Sequence, residues 1–580
     1  MNTLAAVRNT FGISARECAL LVGCAALSFA FCIALFLPAV QDTLVMLGER
    51  LLQRPLDRLM WSGRLSTMGV FGGILHCVFF FALFYPESLP TAHTDKKAHK
   101  LVAAFLLVCT FVIMFRADWT FGDDYDYLTT TAVGKYYSPS SAIFAGRFFP
   151  LGHAHYNIPL FFFRLLGYDS GLPVEAHFAV IALFYAVTVV CLYMLFNKIE
   201  PVHNVRHQMM TVFSACTFIF LAKAFSDIFM MLIYPETQVV MLFSVFMLMY
   251  YMALATDKTK YYIIAMLAAV YATYCKEPVF GVFFIIVMTN CLFKLNIASK
   301  KEKIFYAVLI LNGIFFLIAY YFLSFKDAQA YYHLRYTSFV RWKFITSVFA
   351  GNPALLLGFF ICFIRVFYVI VKRERCALYY DSLLFAGAGY VLAYIWLGMR
   401  GLYYFTPAII LFLPSFVYWA KYLYQKRKKY SLLYLYVIII IYTYNGMMAH
   451  NITDILHERK ESAEYFTRLL ADYHQGKEFI WYERENILQG TTFYGAAAVR
   501  QWRKSVANAF LNYADKTEGH DFFVVRKEAD AVEFHKDILF FYPLEEDQPQ
   551  PMPERLVGKL AENRFELYKN AYGVLVYTRR

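Results

Sequence analysis

Long apolar stretches, separated by short polar segments, recur from the N-terminus to about residue 446. Most run for about 16–22 residues, close to the length that a helix needs to cross a hydrocarbon core of about 30 Å. The pattern predicts a polytopic α-helical membrane protein with about 13 spans. The predicted spans are 18–40, 66–85, 101–116, 175–196, 209–224, 237–255, 261–275, 278–294, 304–324, 353–371, 380–398, 402–421 and 431–446.

Basic residues cluster before the third predicted span and after the fourth, eighth, tenth and twelfth. Since short cytoplasmic loops are rich in Lys and Arg, this alternation predicts a cytoplasmic N-terminus. The loop 41–65 also carries arginines, yet it falls on the outer side. Its leucines alternate with charges, which predicts an amphipathic helix lying at the membrane surface. The apolar run Cys18–Val40 is too long for the core of a signal peptide and is predicted to be a retained first helix.

The composition supports a membrane protein and excludes other classes. Hydrophobic residues make up 60% of the chain and charged residues 17%. The net charge is +13, but the segment from Asn451 onward carries 21 acidic and 18 basic side chains, so the positive excess lies in the loops of the membrane part. A nucleic-acid-binding function is therefore not expected. The 11 cysteines show no metal-binding spacing and are interpreted as small buried hydrophobes.

The predicted topology leaves three segments outside, namely 117–174, 325–352 and the tail 447–580. We therefore divide the chain into a membrane domain, 1–446, and an extracytoplasmic domain, 447–580. Helical and β-rich stretches alternate in the tail, which predicts a small α/β domain. The helical stretches are Ile452–Tyr473 and Ala497–Asn512, and the β-rich ones are Phe479–Tyr482, Phe522–Val525, Ile538–Tyr542 and Gly573–Tyr577.

The first large external loop contains the acidic cluster Asp123-Asp124-Tyr125-Asp126. Adjacent carboxylates repel one another, so one of them should have a raised pKa unless a cation intervenes. Such a carboxylate, partly dehydrated at a membrane face, is suited to act as a general base toward a hydroxyl. The alternative is that Gly122-Asp123-Asp124 turns the chain and caps a helix.

Several cations are predicted at the same outer face. Lys276 interrupts the long apolar stretch 261–294 at an external hairpin turn, where it is suited to hold a lipid-linked phosphate. The alternative is a simple turn in which Lys276 pairs with Glu277. Arg147 and Arg400 also lie outside, against the positive-inside trend, and arginine binds phosphate with two donors. Arg335 and Arg341 fit an interfacial aromatic-basic belt better.

A divalent metal is a further candidate for this face. Its proposed ligands are Asp124, Glu236, His153 and His155, although a pair of histidines two residues apart is a weak signal by itself. Glu236 stands at the outer start of the sixth span. There it could equally be a helix-start carboxylate that the helix dipole favours.

The layout resembles the C-type superfamily of integral-membrane glycosyltransferases. The matching features are Asp123-Asp124 in an early external loop, the many-span body and the external tail; the departure is two extra spans before the acidic loop. The resemblance implies transfer of sugar from a polyprenyl-phosphate carrier to a glycan, lipid or protein hydroxyl at the non-cytoplasmic face. It implies that Asp123 and Asp124 are catalytic, with Asp123 as the base. Lys276, Arg147 and Arg400 would bind the donor phosphate.

Two other functions compete with this interpretation. A transporter or flippase of lipid-linked sugars would also need external cations, but the chain shows no internal repeat and its notable charges gather at one face. An envelope-polymer ligase or polymerase would depend on external Arg and His rather than on an acidic pair. A bacterial inner or plasma membrane is the expected location, because the C-terminus Val576-Tyr577-Thr578-Arg579-Arg580 is no retention signal.

Overall fold

The computed structural model describes the membrane part at residues 14–52, 58–84, 134–144, 147–169, 172–199, 234–325, 352–371, 377–399 and 401–426, with isolated positions between them. In the C-terminal part it describes residues 479–483, 524–525, 538–542, 560–571 and 574–579.

The described membrane part is built from helices. They are α1 (Ala15–Ala34), α2 (Pro38–Leu52), α3 (Arg58–Phe84), α4 (Asn157–Leu165), α5 (Val174–Ile199), α6 (Glu236–Thr256), α7 (Thr259–Thr273), α8 (Val279–Lys294), α9 (Lys300–Leu323), α10 (Pro353–Ile370), α11 (Leu378–Leu397) and α12 (Thr406–Lys426). A two-stranded ribbon, β1 (Ile143–Phe144) with β2 (Arg147–Phe148), precedes α4, and short 3-10 turns lie at Pro139–Ala142, Ala154–Tyr156 and Leu402–Phe405.

Local sequence signals set several of these helix ends. Ser14 begins α1 with a capping box, in which its Oγ accepts from the Glu17 N–H at 3.1 Å and its own N–H donates to Glu17 Oε2 at 2.9 Å. Ser299 caps α9 in a similar way through the Glu302 N–H. At the other end of a helix, Gly398 terminates α11 with a φ of 72°, a left-handed conformation that glycine adopts without strain.

Six of the described helices are long and apolar enough to span a membrane, as expected for an integral membrane protein. The first predicted span, 18–40, is wrong at its C-terminal end, because α1 ends at Ala34 and α2 begins at Pro38, a residue suited to a helix start. The surface helix predicted within 41–65 is confirmed as a helix, α2, and Val45 packs with Leu35 and Leu65. The spans 101–116, 209–224 and 431–446 lie wholly or largely outside the described residues.

The antiparallel helices α6 to α9 bring alternate loops to opposite ends of the bundle. At one end, Lys294 pairs with Glu302 at 3.0 Å and Lys301 approaches Asp257 at 3.4 Å. These residues belong to the loops predicted to be cytoplasmic. At the other end, the start of α6 meets the turn between α7 and α8 and the end of α9. The predicted topology places this end outside, so we call it the outer end.

The ring of Phe412 on α12 packs where α10 and α11 both present glycine. Gly358 and Gly387 face this ring, so the three helices approach one another closely. A Cβ added at Gly387 would lie 2.7 Å from Phe412 Cε1 and 3.2 Å from the Ala408 carbonyl oxygen. Neither neighbour is the end of a flexible side chain, so the contact cannot relax cheaply.

Gly387→Ala is therefore expected to lower the free energy of unfolding by about 1–3 kcal/mol through overpacking. The matched control is Gly313→Ala on α9, where no described atom lies within 4 Å of an added Cβ. Thermal unfolding in mild detergent would compare the two variants. An equal change in both midpoints would contradict this account of the packing around Phe412.

The C-terminal part contains a mixed five-stranded sheet made of β3 (Phe479–Glu483), β4 (Val524–Val525), β5 (Ile538–Tyr542), β6 (Phe565–Ala571) and β7 (Val574–Arg579), in the order β4-β3-β5-β7-β6. β3 is parallel to β4 and β5, whereas β7 runs antiparallel to β5 and β6. The four predicted β-rich runs each overlap a strand, and β6 was missed. The predicted helices Ile452–Tyr473 and Ala497–Asn512 lie outside the described residues, so the α/β assignment and its outer location stay predictions.

Candidate functional site

Four charged side chains form a buried cluster at the outer end of the bundle. Arg147 is on β2, Glu236 is the first residue of α6, and Lys276 and Glu277 occupy the turn between α7 and α8. Their exposed fractions are 4%, 0%, 3% and 7%. Burying charged groups is costly unless each has a partner, so the pairing within this cluster decides what it can do.

The first pair joins the β2 strand to the α7–α8 turn. Arg147 Nε donates to Glu277 Oε1 at 2.6 Å, and the same oxygen accepts from the Phe148 N–H at 3.1 Å. The Arg147 carbonyl oxygen accepts from Ser324 Oγ at 2.8 Å, and its guanidinium lies 4.7 Å from the Phe149 ring centroid. Glu277 therefore holds both the side chain and the backbone of the β2 segment.

The second pair is formed by Lys276 and Glu236. Lys276 Nζ lies 2.8 Å from Glu236 Oε1, 4.9 Å from the Tyr404 ring centroid and 5.4 Å from that of Phe149. Among the described residues, no other donor forms a hydrogen bond with either Glu236 oxygen. The ammonium thus lies between one carboxylate and two aromatic faces, which attract a cation.

The electrostatics of the turn reflect this pairing. Burial lowers the pKa of Lys276, and the adjacent Glu236 carboxylate opposes that effect without cancelling it. For Glu277 burial raises the pKa, but Arg147 and Lys276 together outweigh it, so the pKa lies below its ordinary value and the carboxylate is ionised at neutral pH. With two basic and two acidic residues, the formal charges of the cluster sum to zero.

A neutral side chain fixes the loop beside the cluster. Gln238 Nε2, on α6, donates to the Gly152 carbonyl and also lies 3.3 Å from the Leu151 carbonyl oxygen, while the Leu151 N–H donates to the Tyr274 carbonyl at 3.0 Å. A Cβ at Gly152 would lie 2.5 Å from a carbon of the Phe149 ring. Gln238 was not predicted from the sequence. Its signal was a polar residue at the start of an otherwise apolar helix.

The two predicted histidines lie in the same loop and are buried. The pKa of His153 is far below its ordinary value because of burial and, secondarily, the neighbouring His155, Lys276 and Arg147. Burial also lowers the pKa of His155, to about 4, although the Leu232 carbonyl 3.2 Å from its Nε2 opposes the change. Both rings are therefore neutral at physiological pH.

A third buried histidine, His177, lies beside this loop and was not predicted from the sequence. The ring centroids of Tyr156 and His177 lie 5.5 Å apart, and His177 Nε2 is 3.2 Å from Thr131 Oγ1. Thr131 follows the acidic cluster shortly after Asp126 in the sequence. A histidine near the start of an apolar span was the available signal.

The structure brings together Arg147, Lys276, Glu236, His153 and His155 of the predicted site. Asp123, Asp124 and Arg400 lie outside the described residues. Within the described part of the chain, no three acidic, histidine or cysteine side chains are placed to hold a metal ion, and Glu236 is engaged by Lys276. Because Asp124 belonged to the proposed ligand set, the metal stays a prediction.

The sequence matches no family model and no curated protein. Among the solved structures that resemble the chain are two of one protein. One is ArnT from Cupriavidus metallidurans bound to undecaprenyl phosphate, with a TM-score of 0.45 and 11% identity, covering 84% of this chain and 98% of the other. The second is the same protein in the apo state, with a TM-score of 0.43 and 11% identity, covering 83% and 98%. The likeness concerns the course of the chain and assigns no residue of the site.

Proposed function

We propose that this protein is a membrane glycosyltransferase that moves a sugar from a polyprenyl-phosphate carrier to an acceptor hydroxyl at the non-cytoplasmic face. The observation that carries the proposal is the buried cationic pair Lys276 and Arg147 at the outer end of an apolar helical bundle. A lipid carrier would present its phosphate at an end of the membrane bundle, and the charge of a buried cation there is weakly screened.

The acidic cluster supplies the remaining chemistry of the proposal. Asp123 accepts the proton of the acceptor hydroxyl, whose oxygen forms a new bond to the anomeric carbon. The bond from that carbon to the phosphate oxygen breaks, and the electron pair leaves with the polyprenyl phosphate. Lys276, Arg147 and Arg400 stabilise the negative charge on the departing phosphate, and Asp124 assists the base or holds a divalent metal.

Aromatic side chains and neutral histidines complete the surroundings of the two cations. Tyr403 stacks on Tyr234 with ring centroids 4.1 Å apart, and Tyr404 lies against Lys276. Excluding water from such a site strengthens the phosphate contacts and suppresses hydrolysis of the donor. The acceptor in this proposal is a glycan, lipid or protein of the cell envelope.

The test is a transfer assay with purified protein in nanodiscs and a panel of radiolabelled polyprenyl-phosphate sugars. We expect donor consumption with release of polyprenyl phosphate, and an Asp123→Asn, Asp124→Asn double variant of wild-type stability that consumes none. If no donor is consumed and polyprenyl phosphate does not bind, the proposal fails. Equal rates in wild-type protein and the double variant would refute the assigned base.

A further inference from the structure

The two buried carboxylates of the cluster are held very differently. Glu277 accepts from Arg147 Nε and from the Phe148 N–H, so both its position and its charge are satisfied by fixed donors. Glu236 is fully buried, yet among the described residues its oxygens have the single ionic contact with Lys276. A buried carboxylate with so few partners is poorly stabilised compared with one that receives several hydrogen bonds.

That difference bears on any anion that approaches Lys276. The ammonium already has a counter-ion 2.8 Å away, and its remaining neighbours on two sides are the rings of Tyr404 and Phe149. An incoming phosphate would meet the negative charge of Glu236 at close range. Like charges in a buried site repel strongly, so phosphate and Glu236 compete for the same cation.

We infer that Glu236 is the resident counter-ion of Lys276, and that the phosphate of a lipid-linked substrate displaces it on binding. The inference rests on the proposed function, since it assumes that a phosphate enters this site. Lys276 exchanges one anionic partner for another, and the ammonium is never left unpaired. Arg147 keeps Glu277 throughout, because that carboxylate is also fixed by the backbone.

Phenol groups surround the position of the carboxylate. The phenols of Tyr390 and Tyr394 on α11 and of Tyr403 lie close enough to Glu236 to interact with it electrostatically. Phenol hydroxyls can donate to a carboxylate that has lost its cation.

The test measures the affinity of purified protein for undecaprenyl phosphate in detergent, with dioleoyl phosphatidic acid as a second phosphate-bearing lipid. Glu236→Gln keeps the shape of the side chain and removes its charge, so binding of undecaprenyl phosphate should tighten about tenfold or more. The matched control is Glu302→Gln, which neutralises the carboxylate paired with Lys294 at the opposite end of the bundle. Its affinity should stay at the wild-type value.

Glu236→Asp provides a second variant in case the glutamine protein is poorly folded. It keeps the charge but lengthens the contact with Lys276, and a smaller tightening of a few fold is expected. Unchanged or weaker binding in both Glu236 variants, with normal binding by wild-type protein, overturns the counter-ion role alone. Failure of wild-type protein to bind undecaprenyl phosphate overturns the proposed function instead. Equal tightening toward phosphatidic acid would assign the site to phosphate lipids in general.

Discussion

Replacing Lys276 with methionine is expected to reduce kcat/KM for sugar transfer by about 10²–10³-fold, the usual cost of losing a fixed donor to developing negative charge. Methionine keeps the unbranched apolar stem that packs near Phe149 and Tyr404 but removes the ammonium. The effect should be large because Lys276 is only 3% exposed, so water cannot replace its ammonium.

The single substitution also leaves Glu236 buried without its cation, which would reduce stability. The double variant Lys276→Met, Glu236→Gln removes both charges and should restore much of that stability while transfer remains impaired. Lys294→Met is the matched control, because Lys294 also pairs with a glutamate but lies at the opposite end of the bundle. Near-normal transfer by the double variant, or an equal loss in the control, would contradict the assigned role of Lys276.

Glu277→Gln should produce the largest loss of stability, about 3–5 kcal/mol, which is typical of breaking a buried ion pair on one side. Arg147 would then lose the carboxylate that its Nε contacts, and the Phe148 N–H would lose a charged acceptor. Thermal unfolding in mild detergent measures the loss. Hydrogen exchange over residues 147–156 should increase at the same time, since Glu277 attaches this segment to the α7–α8 turn.

A second substitution separates the charge effect from simple loss of packing. In Arg147→Met, Glu277→Gln both members of this pair are neutral, so much of the stability should return. Asp257→Asn serves as the control for an ion pair, because Asp257 and Lys301 have side chains 53% and 44% exposed and water screens them. If the double variant is no more stable than Glu277→Gln, the loss of stability in Glu277→Gln does not arise from the buried charge.

The helices could be predicted from the sequence because their signal is local. Apolar runs of spanning length identified α5 to α12 within a few residues, and the alternation of basic loops anticipated which loops share an end of the bundle. The break between α1 and α2 was missed because a single proline inside an apolar run does not distinguish a kinked helix from two helices. Strand β6 was missed because Phe565–Ala571 mixes charged and apolar residues.

The residues of the site were largely selected from the sequence, but their pairing was not. Arg147 and Glu277 are far apart in the chain, and nothing local indicates that they bond to each other. From the sequence, the alternative to a phosphate-binding role for Lys276 was a turn in which it pairs with Glu277. The structure pairs Lys276 with Glu236 instead. Partner choice depends on which helix ends meet, and that is set by tertiary packing.

Gln238 holds the Leu151–Gly152 backbone with a neutral amide, so the energy needed to reorganise the site should be small. An amide carries no net charge, so its bonds to these carbonyls change little when an anion enters or leaves beside them. The ionic partners can exchange while the peptide framework stays where it is. Turnover would then require little structural relaxation between the loaded and the empty protein, which is the condition under which preorganised dipoles are most effective.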